Sequence, residues 1–146
     1  MSTDPFDLER FVRQQALDYD QALAELRAGA KQTHWMWYTF PQLDGLGTSA
    51  RAKHFAIRSL NEARAYLAHP VLGARLQECC EALLTVRGKT AAEILGSPDD
   101  LKLRSCATLF ACVAPPNSVF ARLVMRYFDG VGDPGTIRIL NTALTR

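Results

Sequence analysis

Ser59-Leu60-Asn61-Glu62-Ala63-Arg64-Ala65-Tyr66-Leu67-Ala68-His69-Pro70-Val71 is the stretch that decides the fold class. A Ser followed three positions later by Glu has capping-box spacing, in which each side chain satisfies a free backbone donor of a helix start. Leu60, Ala63 and Leu67 then share one side, with Tyr66 beside them, which is the 3.6-residue period of a helix. Pro70 ends that helix, because proline lacks a backbone donor and clashes with the preceding turn. It is also suited to open the next one, Val71 to Val86, with apolar positions at Leu72, Leu76, Cys79, Cys80, Leu83 and Leu84.

The same punctuation recurs in both directions. Asp4-Pro5 starts a helix from Phe6 to Gln15, and a second from Asp18 to Ala28 carries Tyr19, Ala22, Leu23 and Leu26 on one stripe, with Gly29 just beyond. Ser49 caps Ala50 to Arg58, Thr90 opens a helix through Leu95, and Ser118 caps Val119 to Phe128. Ser97-Pro98-Asp99-Asp100 reads as a capping Ser, a first-position Pro and two acids at the positive helix end, opening a helix to about Val113. Thr136 starts a last one through Leu144. No period-2 strand pairs stand out. The expected fold is all-α, a compact single-domain bundle of about seven to nine short helices with one irregular aromatic segment. It spans residues 1–146, with an ordered core from about 6 to 144.

Chain-level properties exclude several function classes. At 146 residues and 48% apolar composition, the chain can bury its own core without staples. A net charge of +2, with no Lys/Arg run, argues against nucleic acid or an anionic membrane as partner, though a basic rim around one small anion fits. Cys79, Cys80, Cys106 and Cys112 lack zinc-site spacing and the three histidines are scattered, so no metal and no cofactor are expected. The first five residues lack an apolar signal segment, and no apolar run approaches the roughly 20 residues of a membrane span. A reduced, cytoplasmic setting is expected.

The irregular segment is His34-Trp35-Met36-Trp37-Tyr38-Thr39-Phe40-Pro41-Gln42. As a short extended stretch from Met36 to Phe40, it sends Trp35, Trp37 and Thr39 one way and His34, Met36, Tyr38 and Phe40 the other. One side then packs into the bundle and the other borders a pocket. Gly45-Leu46-Gly47-Thr48-Ser49 follows and resembles a phosphate-cradling loop at a helix start, but it lacks the Lys of a Walker loop and any βαβ context. The helix from Asp99 is the densest polar segment. Lys102 shares a face with Ser105 and Cys106, Arg104 aligns with Thr108, and Asp100 and Arg104 have i,i+4 ion-pair spacing.

His34-Trp35-Met36-Trp37, Phe40-Pro41-Gln42-Leu43, Gly45-Leu46-Gly47, Glu62 to Leu67 and Asp99 to Ser105 together resemble a bacterial family of unknown function with an HWMWxxFPQLxGLG motif. Its members are often mislabelled calpastatin. The resemblance runs from about Asp7 to Leu140 and implies a mostly helical single-domain cytoplasmic protein, with no reaction attached. Cys106 stands where that family typically shows a second serine. The calpastatin label implies a disordered inhibitor, which this apolar, cap-rich chain does not resemble. A weaker analogy is to NADAR domains, small helical proteins associated with ADP-ribose-type N-glycosidic chemistry. No motif matches them residue by residue, so no catalytic role carries over.

Two functions follow from these residues. In the first, the chain binds or hydrolyses a small anionic, nucleotide-like molecule related to ADP-ribose or NAD. Trp35 or Trp37 stacks on the ring, Lys102 or Arg104 holds phosphate, Gly45, Gly47 and Ser49 offer donors, and Gln42 and Ser105 complete the lining. Hydrolysis would use Asp99 or Asp100 to activate water and His34 to orient a hydroxyl. In the second, the chain is a non-catalytic protein-interaction module whose aromatic segment is core and whose partner is unknown. The residues alone do not decide whether turnover occurs.

Overall fold

Asp4 is the first residue described, its carboxylate accepting the backbone N–H groups of Leu8 (2.8 Å) and Glu9 (2.9 Å). These donors have no partner within the helix that follows. The computed structural model describes residues 4–144; residues 1–3, part of the stretch on which the expectation about a signal segment rests, and 145–146 lie outside it. Helix α1 runs without interruption over Glu9–Ala28. Two helices were expected there, but no Gly or Pro separates Gln15 from Tyr19, so nothing stops the first one. Gly29 does, at φ 69°, a left-handed conformation in which a side chain is strained.

The helices that follow are α2 (Met36–Thr39), α3 (Ala50–His54), α4 (Leu60–Ala68), α5 (Leu72–Thr85), α6 (Ala91–Leu95), α7 (Asp99–Ala111), α8 (Val119–Phe128) and α9 (Pro134–Leu144). The all-α expectation holds: the described residues form helices and one isolated parallel bridge, between Leu43 and Ile57. Helix α5 packs on α1, α4 and α8, and α7 on α4, α6, α8 and α9. A line of rings crosses this core: Phe11 to Tyr66 (5.1 Å between centroids), Tyr66 to Phe110 (5.3 Å), and Phe110 to Phe120 (5.6 Å). It joins α1, α4, α7 and α8 in one apolar body, with edge and tilted geometries that suit the ring quadrupoles.

Four local expectations are corrected. Met36 to Phe40 is not extended; Met36–Thr39 is a helical turn. Side chains fan around it, so Met36, Tyr38, Thr39 and Phe40 are all buried and only Trp37 is left partly exposed. Helix α3 ends at His54 rather than Arg58, because Phe55 to Ile57 turn away to pair with the end of the aromatic segment. There the Ile57 N–H donates to the Gln42 carbonyl and the Asp44 N–H to the Ile57 carbonyl, both at 2.8 Å. Ser97 does not cap α7; Pro98 occupies the cap position, and α7 starts at Asp99. Ser59 accepts the Glu62 N–H, but the Glu62 carboxylate reaches Arg58 N–H and Arg10 instead of closing the box. The full reciprocal box forms at Thr90 and Glu93.

Candidate functional site

Glu25 determines which tryptophan faces the core. Its carboxylate accepts the Trp35 indole N–H (2.9 Å), the Gln32 and Thr33 backbone N–H groups, and the Thr33 hydroxyl. Trp35 is thereby fully buried, so its expected stacking role is withdrawn. Gln15 donates to the Tyr38 carbonyl (2.7 Å), and the Tyr38 hydroxyl donates to the Asp18 carboxylate. Burial and that carboxylate push the Tyr38 phenol up to about 12, so it stays a donor. With its neighbours fixed, Trp37 is the partly exposed ring of the segment on an open cleft, which the buried Phe40 ring also lines.

The cleft has a volume of about 300 Å³. Trp37 comes from α2, Gln42, Leu46, Gly47 and Ser49 from the following loop, and Lys102 from α7. A second cleft of about 240 Å³ adjoins it, sharing Gln42, Leu46, Gly47 and Lys102 and adding Ser105 and Asp133. Thus the aromatic segment, the glycine loop and the α7 start converge. The Arg51 guanidinium lies 5.0 Å from the centre of the Trp37 ring and the Lys102 ammonium 5.9 Å from it. Lys102 Nζ is also 3.5 Å from Asp99 Oδ1, while Asp99 Oδ2 is 3.0 Å from Lys31 Nζ.

Other expected site residues lie elsewhere. His34 is exposed and outside both clefts. Asp99 and Asp100 border neither; Asp99 is taken up by two lysines, and Asp100 Oδ1 is buried without a partner among the described residues. Arg104 points away, its Nε donating to the Val131 carbonyl at 2.9 Å and its guanidinium 5.9 Å from the Phe128 ring. The expected Asp100–Arg104 ion pair does not form, because Arg104 is drawn to the α8–α9 loop instead. Ser105 is buried at the edge of the second cleft, donating to the Lys102 carbonyl.

In the loop, Gly45 is exposed and lines neither cleft. Gly47 is glycine for a packing reason: a Cβ there would stand 2.4 Å from the Ala52 Cβ. Ser49 Oγ accepts the Ala52 N–H (3.1 Å), so its cleft role is first a cap on the five-residue α3. Arg51, Lys31 and Asp133 were missed by sequence reasoning. Asp133 had a readable signal, since Asp-x-x-Thr has cap spacing, and its Oδ2 accepts both the Thr136 N–H and hydroxyl at 2.8 Å. Arg51 and Lys31 carried no local signal; their partners are distant in sequence. Among the described residues, no group of three or more His, Cys, Asp or Glu side chains is placed to hold a metal ion. No helix there is long and apolar enough to cross a membrane.

The whole architecture has a solved counterpart. The chain is similar to a conserved hypothetical protein, Rv1873 from Mycobacterium tuberculosis, at 50% identity and a TM-score of 0.93, covering 94% of this chain and 99% of that one. No curated protein matches. The family model described as "Protein of unknown function (DUF1810)" matches residues 5–140, and the chain belongs to that family.

Proposed function

We propose that the Trp37 cleft binds a small anionic, nucleotide-like molecule, a flat ring joined to a phosphate. The observation that carries this reading is the placing of Trp37: one partly exposed indole on a cleft wall, with Arg51 at 5.0 Å and Lys102 at 5.9 Å from its ring centre. An indole face offers stacking to any planar ring, and the two cations suit the charge attached to it. The reading is of binding alone. Hydrolysis by Asp99, Asp100 and His34 is not part of it, since none of the three borders the cleft.

A thermal-shift screen with nucleotides, NAD, ADP-ribose and sugar phosphates tests it. A ligand at a hundred times its dissociation constant adds about 2.7 kcal/mol to the folded state. The expected result is stabilisation of the wild type and none of Trp37→Ala. Stabilisation that survives Trp37→Ala would move the site elsewhere. Silence across the panel favours the second reading, a protein-interaction module.

A further inference from the structure

We propose that Asp99 is an internal competitor for Lys102, and that this competition makes the cleft selective for dianionic phosphate monoesters; the inference rests on the cleft reading above. Three charges form the unit. Asp99 Oδ2 meets Lys31 at 3.0 Å, and Asp99 Oδ1 meets Lys102 at 3.5 Å. The two lysines differ in setting. The Lys31 side chain is 8% exposed, and its backbone N–H donates to the Ile94 carbonyl at 2.8 Å, so its position is fixed. A buried ammonium without a counter-charge is strongly disfavoured, which keeps Asp99 with Lys31. The Lys102 side chain is 31% exposed, its contact is longer, and it borders both clefts. Lys102 is the ammonium that can change partner.

The charge count decides what draws it away. Two ammonium groups share one carboxylate, so the unit carries one surplus positive charge. A monoanionic ligand offers Lys102 only what Asp99 already offers. A phosphate monoester carries nearly two negative charges near neutral pH and so attracts Lys102 about twice as strongly at equal distance. Arg51 supplies a second cation at the same ring. Asp99 is not orphaned by the exchange, because Lys31 stays. Asp133 borders only the second cleft, which places the dianion on the Trp37 side of Lys102. Lys102 is then the ligand contact, and Asp99 and Lys31 are positioning residues.

Calorimetric titration with adenosine 5′-monophosphate and with adenosine tests the exchange. The wild type should bind the monophosphate more tightly than adenosine. Asp99→Asn frees Lys102 and should tighten monophosphate binding about fivefold or more, leaving adenosine unchanged. Lys31→Met gives Asp99 wholly to Lys102 and should weaken monophosphate binding by a similar factor. The opposite signs are the signature, since a structural role for either residue would weaken both probes together. Asp99→Asn leaves Lys31 unpaired; if it fails to fold by circular dichroism, Lys31→Met/Asp99→Asn retains neither charge of that pair and must bind the monophosphate at least as tightly as the wild type. Monophosphate binding that neither tightens in Asp99→Asn nor weakens in Lys31→Met overturns the exchange and leaves the cleft standing. A wild type that binds other members of the panel but not the monophosphate overturns the exchange alone; one that binds nothing in the panel, or whose binding is unaltered in Trp37→Ala, overturns both.

Discussion

Arg10 and Glu62 meet at 2.7 Å with side chains only 4% and 2% exposed, and this pair ties the start of α1 to the start of α4. Arg10 also donates to the carbonyls of Phe6, Asp7, His54 and Ala56, at 2.6–2.9 Å. The second Glu62 oxygen accepts the Arg58 N–H at 3.0 Å. One guanidinium thus collects the backbone between α3 and α4, beside the bridge that positions the cleft loop.

Truncating one member of a buried pair leaves the other charge uncompensated, which costs about 3–5 kcal/mol. Glu62→Ala should therefore lose that much in urea unfolding. Replacing both partners by methionine often restores stability in other proteins, but here four carbonyls would lose the guanidinium, and of these the Asp7 carbonyl keeps the Arg10 backbone N–H. The Arg10→Met/Glu62→Met variant should recover only part of the loss. A double variant as stable as the wild type would show that those carbonyls find other partners.

The contrast between Glu62 and Glu93 shows what was legible in the sequence. Both follow a Ser or Thr by three residues, yet only Glu93 closes its box, because no distant charge competes for it. Caps at Ser49, Thr90 and Ser118 and the stop at Gly29 are local and were readable. The α2 turn was not, since it is held by Gln15, Asp18 and Glu25 from α1. In the cleft, the residue types of Trp37, Gln42, Gly47 and Lys102 were legible, while their convergence is a product of the fold. Which tryptophan turns inward was not, because that depends on an acceptor ten residues earlier. Arg104 misled for a related reason: its partner, the Val131 carbonyl, has no sequence signature.

Glu25 should make stability depend on acid pH. Burial pushes its carboxyl up, but the Thr33 hydroxyl and N–H, the Gln21 amide and the Gln32 N–H outweigh that and hold it at about 2, against an ordinary 4.5. A folded value below the unfolded one means the stabilisation is full above about pH 4.5 and is lost as pH falls through 2. Its size is about 2–3 kcal/mol. Urea midpoints measured from pH 6 to pH 2 should fall across that window, and the decline should flatten in Glu25→Gln. The Trp35 indole N–H resonance should shift over the same range. A Gln variant with an undiminished acid slope would place the titration on another carboxylate.

The four cysteines should separate sharply in reactivity. Cys79, Cys80 and Cys106 are buried and Cys112 is exposed. Burial pushes the Cys79 thiol up to about 12 and the Cys80 and Cys106 thiols well above their ordinary value. The thiolate is the reactive form, so these three are protected by both access and protonation. A chromogenic disulfide reagent at pH 8 should titrate one thiol in the folded protein and four in urea. Two or more fast-reacting thiols under native conditions would mean that α5 or α7 opens readily.

Lys102 and Arg104 sit two residues apart on α7, and their alanine variants should fail in different assays. Arg104 bonds the Val131 carbonyl in the α8–α9 loop, lies 5.9 Å from the ring of Phe128 at the end of α8, and borders neither cleft. Arg104→Ala should lower stability by about 1 kcal/mol, a shift of a few degrees in Tm, and leave the nucleotide-induced shift unchanged. Lys102→Ala removes a cleft cation whose partner, Asp99, keeps Lys31. It should therefore leave Tm near the wild-type value and abolish the nucleotide-induced shift. Thermal denaturation with and without adenosine 5′-monophosphate reads both quantities from one set of samples. The reverse pattern, with Arg104→Ala folding normally but unresponsive to the nucleotide, would return the anion contact to Arg104 and place the ligand on the α8–α9 loop.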